Sequence, residues 1–291
     1  MRLVTFSKKG QPTVGVAHHA DLIDLSVAAP KLPRDMIGLI AAGRPALAAA
    51  SKAVDKAKGK AVKRFKAAKL LPPIPRPGKI IMVGLNYRLH AQESGMAIPA
   101  YPQLFARWSN TLSAHNEAMV LPKASSMFDW ECELAVIVGR KARAVPADKA
   151  LGHVFGYSLF NDGSIRDYQF KPGPGAQWTA GKNWDKTGAF GPWIVTADEL
   201  PPGAAPLEIS TTVNGQVMQK SHTGDMIFDV ATLIALISEF ATLEPGDLIV
   251  TGTPAGVGHG RKPPVYLKAG DVCTVAVERI GELTSRIVAQ K

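Results

Sequence analysis

The sequence predicts an α+β fold in which β-structure dominates, and three observations carry that prediction. Gly and Pro supply 27 and 22 of the 291 residues, about one residue in six and above ordinary usage. Turn formers at that density imply many short elements and exclude a helical bundle or a coiled coil. Strand-like runs recur along most of the chain. They do not alternate regularly with helices, which argues against a doubly wound parallel sheet. Hydrophobic residues at 46% and charged residues at 20% are ordinary for a globular chain and exclude a disordered one.

Taken in order, residues 1–26 read as short strands, MRLVTF, PTVGVAH and ADLIDLS, parted by turn-prone pieces such as Lys9-Gly10-Gln11-Pro12. Residues 34–58 carry helical patches rich in Ala, Leu and Ile, broken at Gly43-Arg44-Pro45. Leu71-Pro-Pro-Ile-Pro-Arg-Pro-Gly78 follows, with four prolines in eight residues. Such a segment is extended and sits in neither a helix nor a central strand. It divides a small N-terminal domain, 1–71, from a main domain, 72–291. Strand signals then recur at 79–85, 131–139, 153–162 and 190–196. Asn214-Gly215 between two alternating runs in 207–220 predicts a hairpin. Further strands are expected at 248–252 and 271–288. One helix stands out at 226–240, where Ile227, Val230, Leu233, Ile234 and Ile237 share a face.

The net charge is +10, but residues 51–70 alone hold eight Lys/Arg against one Asp. The rest of the chain is therefore nearly balanced, and no basic binding face runs through the fold. With Phe65 as its only aromatic residue, the stretch lacks the stacking groups of a nucleic-acid site. It reads as a solvated Ala/Lys helix with an extended continuation. No apolar run approaches the roughly 18–20 residues of a membrane span, and the first ten residues lack the apolar core of a signal peptide. Cys132 and Cys273 form no CxxC and no framework, so a reduced, cytoplasmic setting is expected, with both as small core residues.

Glu131-Cys132-Glu133 is the most informative pair for chemistry. Alternate residues of a strand share a face, so both carboxylates point one way and Cys132 the other. The apolar run Leu134-Ala-Val-Ile-Val follows. Two like charges at the mouth of a buried strand are costly unless a cation neutralises them. Asp162, ending another apolar strand, offers a third carboxylate, and an all-oxygen set suits Mg²⁺ or Mn²⁺. His90 and Glu93 are spaced i, i+3 and share a face on a helical turn. A carboxylate beside an imidazole fixes its tautomer and raises its basicity, as a general base requires. A surface ion pair would show the same spacing. Arg166, in the polar exit Asn161-Asp-Gly-Ser-Ile-Arg-Asp167, has the two-pronged geometry for a substrate carboxylate. Gln169 and Lys182 bracket the loop 171–176, whose composition suits a lid or a plain linker. Thr251-Gly-Thr-Pro-Ala-Gly-Val-Gly258 lacks the ending of a nucleotide phosphate loop. Its amides and the Thr253 hydroxyl can still hold an anionic group.

These motifs, with Val83-Gly-Leu-Asn-Tyr87, Gly156-Tyr157, Gly181-Lys182, Gly191-Pro192, Val213-Asn-Gly215 and Pro245-Gly-Asp247, occur in an order that resembles the fumarylacetoacetate hydrolase family over residues 72–288. Each is weak alone; the ordered set is specific. The resemblance implies a mixed β-roll or sandwich catalytic domain with a small N-terminal domain, in a homodimer. It implies Mg²⁺ or Mn²⁺ on Glu131, Glu133 and Asp162, and a water-activating dyad at His90 and Glu93. It places Gln169 and Lys182 at an oxyanion, and Arg166, Thr253 and Tyr87 against substrate. Departures fall at Gly163, Ser164 and Ile165, at Arg107 where the family often has Lys, and at His115 where it often has Gly. They bear on substrate identity.

The implied activity is hydrolysis of a carbon–carbon bond in an acylpyruvate-type 1,3-dicarbonyl acid such as fumarylpyruvate, in aromatic-compound or organic-acid catabolism. The expected ligand is a small 2-oxo acid, with neither nucleic acid nor membrane as partner. Two alternatives use the same scaffold: a 2-hydroxyhepta-2,4-diene-1,7-dioate-type isomerase and a β-keto acid decarboxylase. A non-catalytic basic binding protein acting through residues 51–70 is the alternative of a different class.

Overall fold

The computed structural model describes residues 1–173 and 175–291. Pro174, inside the segment read as lid or linker, lies outside them. The chain is α+β and mainly β, as the turn density predicts. Its spine is a mixed twelve-stranded sheet. The path through it runs Val62–Arg64, Asp21–Asp24, Gln11–His18, Arg2–Lys8, Gly188–Thr196, Val154–Asp162, Cys132–Val138, Leu248–Val250, Ile80–Gly84 and Gln103–Ala106. The short strands Leu70–Leu71 and Leu112–Ser113 join from the side. A five-stranded sheet, Gln216–His222, Glu208–Val213, Val272–Val277, Gly281–Ala289 and Met119–Leu121, is the second layer.

The strand Cys132–Val138 shows how the layers are made. Every residue in it is buried, and successive side chains go to opposite faces. Cys132, Leu134, Val136 and Val138 enter the core shared with the five-stranded sheet and the helix Val230–Phe240. Ala135 and Ile137 enter a second core, beneath the helix Met36–Lys56. That 21-residue helix is long and apolar enough to cross a membrane by length and composition. Here it is broken at Gly43, whose φ of 64° and ψ of −149° are not helical. Its Met36, Leu39, Ile40, Ala46 and Ala50 pack on the sheet.

Local rules explain where elements begin and end. Asn214 and Gly215 both have positive φ, 53° and 82°, the requirement of a two-residue turn matched to strand twist, and the predicted hairpin forms around them. The helix expected from residue 226 starts at Val230. Asp229 caps it, accepting from the Thr232 amide at 2.8 Å. The preceding amides of Ile227 and Phe228 are taken by the Asn86 carbonyl and Oδ1, so they point across to another segment. The basic stretch is less helical than expected. The helix stops at Lys56, and Val62–Arg64 pairs with Asp21–Asp24 at the sheet edge. The N-terminal strand Arg2–Lys8 pairs directly with Gly188–Thr196, with Arg2 opposite Val195. The first 71 residues therefore extend the main sheet.

Candidate active site

The site lies where the central strands Cys132–Val138 and Val154–Asp162 meet the loop after Leu248–Val250. Glu131 and Glu133 flank Cys132, whose thiol points the other way, toward the Ala276 carbonyl at 3.7 Å. Asp162 ends the neighbouring strand, and its amide bonds the Glu131 carbonyl at 2.9 Å. One ligand atom from each of Glu131, Glu133 and Asp162 lies within 4.8 Å of the others, and all three residues are buried.

Three buried cations surround the carboxylates. Lys182 Nζ donates to Glu131 Oε2 at 2.7 Å, Asp162 Oδ2 at 2.6 Å and Ser164 Oγ at 2.7 Å. Arg166 donates through Nη2 to Glu131 at 2.7 Å, through Nε to Asp129 at 2.8 Å and through Nη1 to Gln169 Oε1 at 2.8 Å. Arg107 pairs with Asp162. These charges act unequally. Burial raises the Glu131 pKa, but Lys182 and Arg166 outweigh it and hold the group at about 2. Glu133 is pushed well above the usual carboxylate range, by burial first and then by the charges of Asp162 and Glu131. Its direct support is the Gly252 amide, at 2.6 Å.

That imbalance is the test of whether a hard cation fits. Three buried carboxylates converge, one is held against the repulsion of the other two, and the donor set is all oxygen. The Tyr87 hydroxyl is buried with no hydrogen-bond partner among the described residues. It lies close enough to Glu133 to be raised by that charge, after the larger effect of burial. The residues present fit a divalent metal such as Mg²⁺ or Mn²⁺.

Beside this wall, His90 and Glu93 stand on the helix Arg88–Glu93. His90 Nδ1 and Glu93 Oε2 are 3.1 Å apart. Glu93 also accepts from the Gly256 amide at 3.0 and 3.1 Å. Burial raises its pKa, but the His90 and Gly256 hydrogen bonds lower it further, so the net shift is down. A carboxylate on Nδ1 places the ring proton there and leaves Nε2 as the basic atom. His90 is near enough to contribute to lowering the Glu131 pKa.

The glycine-rich loop does hold anionic groups, and they belong to the protein itself. Gly252, Gly256 and Gly258 give their amides to Glu133, Glu93 and Asp129. A Cβ on Gly256 would meet the Met218 carbonyl at 2.3 Å, and on Gly258 the Val265 carbonyl at 1.9 Å, so no larger residue fits at either of these two positions. Thr253 Oγ1 accepts from Gln219 Nε2 at 2.9 Å. Gln219 in turn accepts from Thr211 Oγ1 and the Cys132 amide, which ties the loop to the ExE strand.

The residues singled out in the sequence thus share one neighbourhood. The Arg166 fork, expected against a substrate carboxylate, is engaged with Asp129, Glu131 and Gln169. Three contributors went unread. Asp129 accepts from the Trp130, Gly258 and His259 amides and from Arg166. Its spacing from Glu131 and Glu133 continues the alternate pattern and would have pointed to it. Gln219 had no local signal. Arg107 was noted only as a departure from a family pattern.

Comparisons with known proteins bear on the family and the fold. The family model for the fumarylacetoacetate (FAA) hydrolase C-terminal domain matches residues 79–288. The chain is 38% identical to the mitochondrial oxaloacetate tautomerase Fahd2a of Rattus norvegicus over 294 residues, 99% of this chain and 92% of that protein. It is 47% identical to the 2,4-didehydro-3-deoxy-L-rhamnonate hydrolase of Sphingomonas sp. (strain SKA58) over 210 residues, 72% of this chain and 73% of that one. Among solved structures it is similar to maleylpyruvate hydrolase from Sphingobium sp. SYK-6, determined with manganese(II) and pyruvate. There the identity is 29%, the TM-score is 0.83, and both chains are covered in full.

Proposed function

The chain belongs to the fumarylacetoacetate hydrolase family of enzymes, and on that premise we propose that it is a metal-dependent hydrolase of an acylpyruvate-type acid, releasing pyruvate by cleavage of a carbon–carbon bond. The observation that carries this reading is the His90–Glu93 hydrogen bond, beside three converging buried carboxylates. A mere cation site needs no carboxylate-oriented base; activation of water does. The hydrolase and maleylpyruvate hydrolase relatives support the same substrate class.

Glu131, Glu133 and Asp162 would hold Mg²⁺ or Mn²⁺, which when bound supplies Lewis-acid polarisation of the 2-oxo acid. His90 Nε2 takes a proton from water as the water oxygen attacks the distal carbonyl, and Glu93 steadies the imidazolium that results. Gln169 would donate through its Nε2 to the developing oxyanion, and Lys182, whose three protons are engaged by Glu131, Asp162 and Ser164, would supply positive charge beside it. Thr253 and Tyr87 would face substrate, Tyr87 with a hydroxyl that a bound acid would satisfy, while Arg166, its fork engaged by Asp129, Glu131 and Gln169, would act there as a fixed positive charge and not as a direct clamp. The carbon–carbon bond then breaks, and the proton held on His90 returns to the departing carbon.

A second reading rests on the identity to oxaloacetate tautomerases across 99% of the chain. Tautomerisation moves one proton between carbon and oxygen and needs the base but no attacking water. One assay separates the two. Purified protein with Mn²⁺ is given fumarylpyruvate and, separately, oxaloacetate; pyruvate is measured enzymatically and the enol by ultraviolet absorbance. Fast pyruvate release from fumarylpyruvate is expected. Accelerated oxaloacetate tautomerisation without pyruvate release from any acylpyruvate would replace the hydrolase reading with the tautomerase one.

The reading extends to a cytoplasmic homodimer whose partners are small 2-oxo acids, with no nucleic acid or membrane. In support of the last point, Lys63 and Arg64 of the basic stretch pair with Asp24 and Asp21 within the fold.

A further inference from the structure

Arg107 follows the strand Gln103–Ala106 and is buried against the floor of the carboxylate site. Each nitrogen of its guanidinium has a named acceptor. Nη1 pairs with Asp162 Oδ1 and also reaches the Gly163 carbonyl at 3.3 Å. Nε donates to Thr111 Oγ1 at 3.0 Å, and Nη2 to Thr187 Oγ1 at 2.7 Å. Both threonines are themselves fixed. Thr111 gives its proton to the Trp108 carbonyl at 2.7 Å, and Thr187 to the Trp184 carbonyl at 2.8 Å, so their lone pairs are turned toward Arg107. Gly188 completes the cradle: a Cβ there would come within 2.7 Å of Nε and 2.9 Å of Cζ. The main chain is pinned as well, by the Arg107 amide on the Ile80 carbonyl at 3.1 Å and the Trp108 amide on Asn183 Oδ1 at 2.7 Å.

A guanidinium held on all sides is a rigid object. Asp162 is gripped by it through Oδ1, while Oδ2 accepts from Lys182, and one oxygen of Asp162 lies within 4.8 Å of those of Glu131 and Glu133. We propose that Arg107 is the positioning residue of the cation site: it fixes one oxygen of Asp162 so that the other is presented to the ion at a set angle. The proposal rests on the reading that Glu131, Glu133 and Asp162 hold a divalent metal. Arg107 itself reaches neither metal nor substrate. Partners behind a metal ligand orient it, and losing one typically costs about 10–100-fold in metal affinity. A lysine at this position, frequent in the family, would keep the charge beside Asp162, but its single ammonium could not also reach Thr111 and Thr187 of this cradle.

The test uses full-length protein freed of metal by chelation and titrated with Mn²⁺ by calorimetry. Wild type is compared with Arg107→Lys, which keeps the charge and loses the fork, and with Thr187→Val, which removes one acceptor and leaves Asp162 and Arg107 in place. Arg107→Lys is expected to lose about 10–100-fold in Mn²⁺ affinity. Thr187→Val should lose less, in the same direction. KM at saturating Mn²⁺ should be unchanged in both, and the melting temperature of the metal-free proteins should not track the loss. Wild-type Mn²⁺ affinity in both variants overturns the proposal and leaves the metal reading standing, as does a fall in melting temperature with affinity unmoved. Absence of Mn²⁺ binding by wild type overturns the metal reading, and the proposal with it.

Discussion

Glu131, Glu133 and Asp162 stand at the ends of strands deep inside the twelve-stranded sheet, while His90 and Glu93 stand on a six-residue helix after a strand next to its edge. The carboxylate wall is buried and cross-tied by Arg107, Arg166, Lys182 and Asp129. The helix has no side-chain N-cap. It is held by Arg88 on the Asp225 and Met226 carbonyls and by Glu93 on the Gly256 amide. On the proposed reading the two regions divide the labour of the site. The carboxylates that would bind the ion are inseparable from the fold, because each buried charge depends on its neighbours. The pair that would move a proton sits where substitution disturbs little packing. Variants that remove a buried charge from the wall should therefore lose stability and metal together, and variants at the helix should lose turnover alone.

The largest stability effect should come from Asp129→Ala. It strands the buried Arg166 and three backbone amides, a loss of about 3–5 kcal/mol by comparison with other broken buried pairs. Chemical denaturation measures it, and a change under about 1 kcal/mol would show that the wall is not coupled to the fold in this way. His90→Ala should slow acylpyruvate hydrolysis by about 10²–10⁴ with Mn²⁺ affinity and denaturation midpoint unchanged. Parent-level hydrolysis in that variant would remove the water-activating role. Glu93→Gln should cost about tenfold in turnover, the lower end of what an orienting partner is worth.

The smallest effect is one of pH. Glu93 has a lowered pKa in the folded protein, so its contribution to stability is fully present above its unfolded value of about 4.3. That contribution is lost as pH falls through the lower folded value. The stability difference between wild type and Glu93→Gln should be within about 1 kcal/mol at neutral pH. It should shrink to nothing as pH falls through the folded value. A difference that grew on acidification would contradict the shift.

Local periodicity made much of this legible. The alternation at Glu131 and Glu133, the i, i+3 spacing of His90 and Glu93 and the turn chemistry at Asn214-Gly215 all depend on near neighbours in sequence. What escaped depends on distant ones. Nothing near Arg2 announces Val195 as its strand partner, so the N-terminal strands read as a separate unit. Gln219 gains meaning only when folding brings Thr211, Cys132 and Thr253 around it. Arg107 stands in the sequence only as a departure from a family pattern; its burial depends on the distant Thr111, Thr187 and Gly188 that close around it. The helix begins at Val230 and not at 226 for the same reason, since Asn86 claims the two amides before Asp229.

The most direct test of the division between wall and helix is calorimetric titration of chelator-treated protein with Mn²⁺, comparing wild type, Asp162→Asn and His90→Ala. One ion per chain should bind wild type and His90→Ala with equal affinity. Asp162→Asn should lose affinity beyond the roughly 10–100-fold of an outer-shell change. Equal binding by Asp162→Asn and wild type, or loss of binding in His90→Ala, would contradict the account.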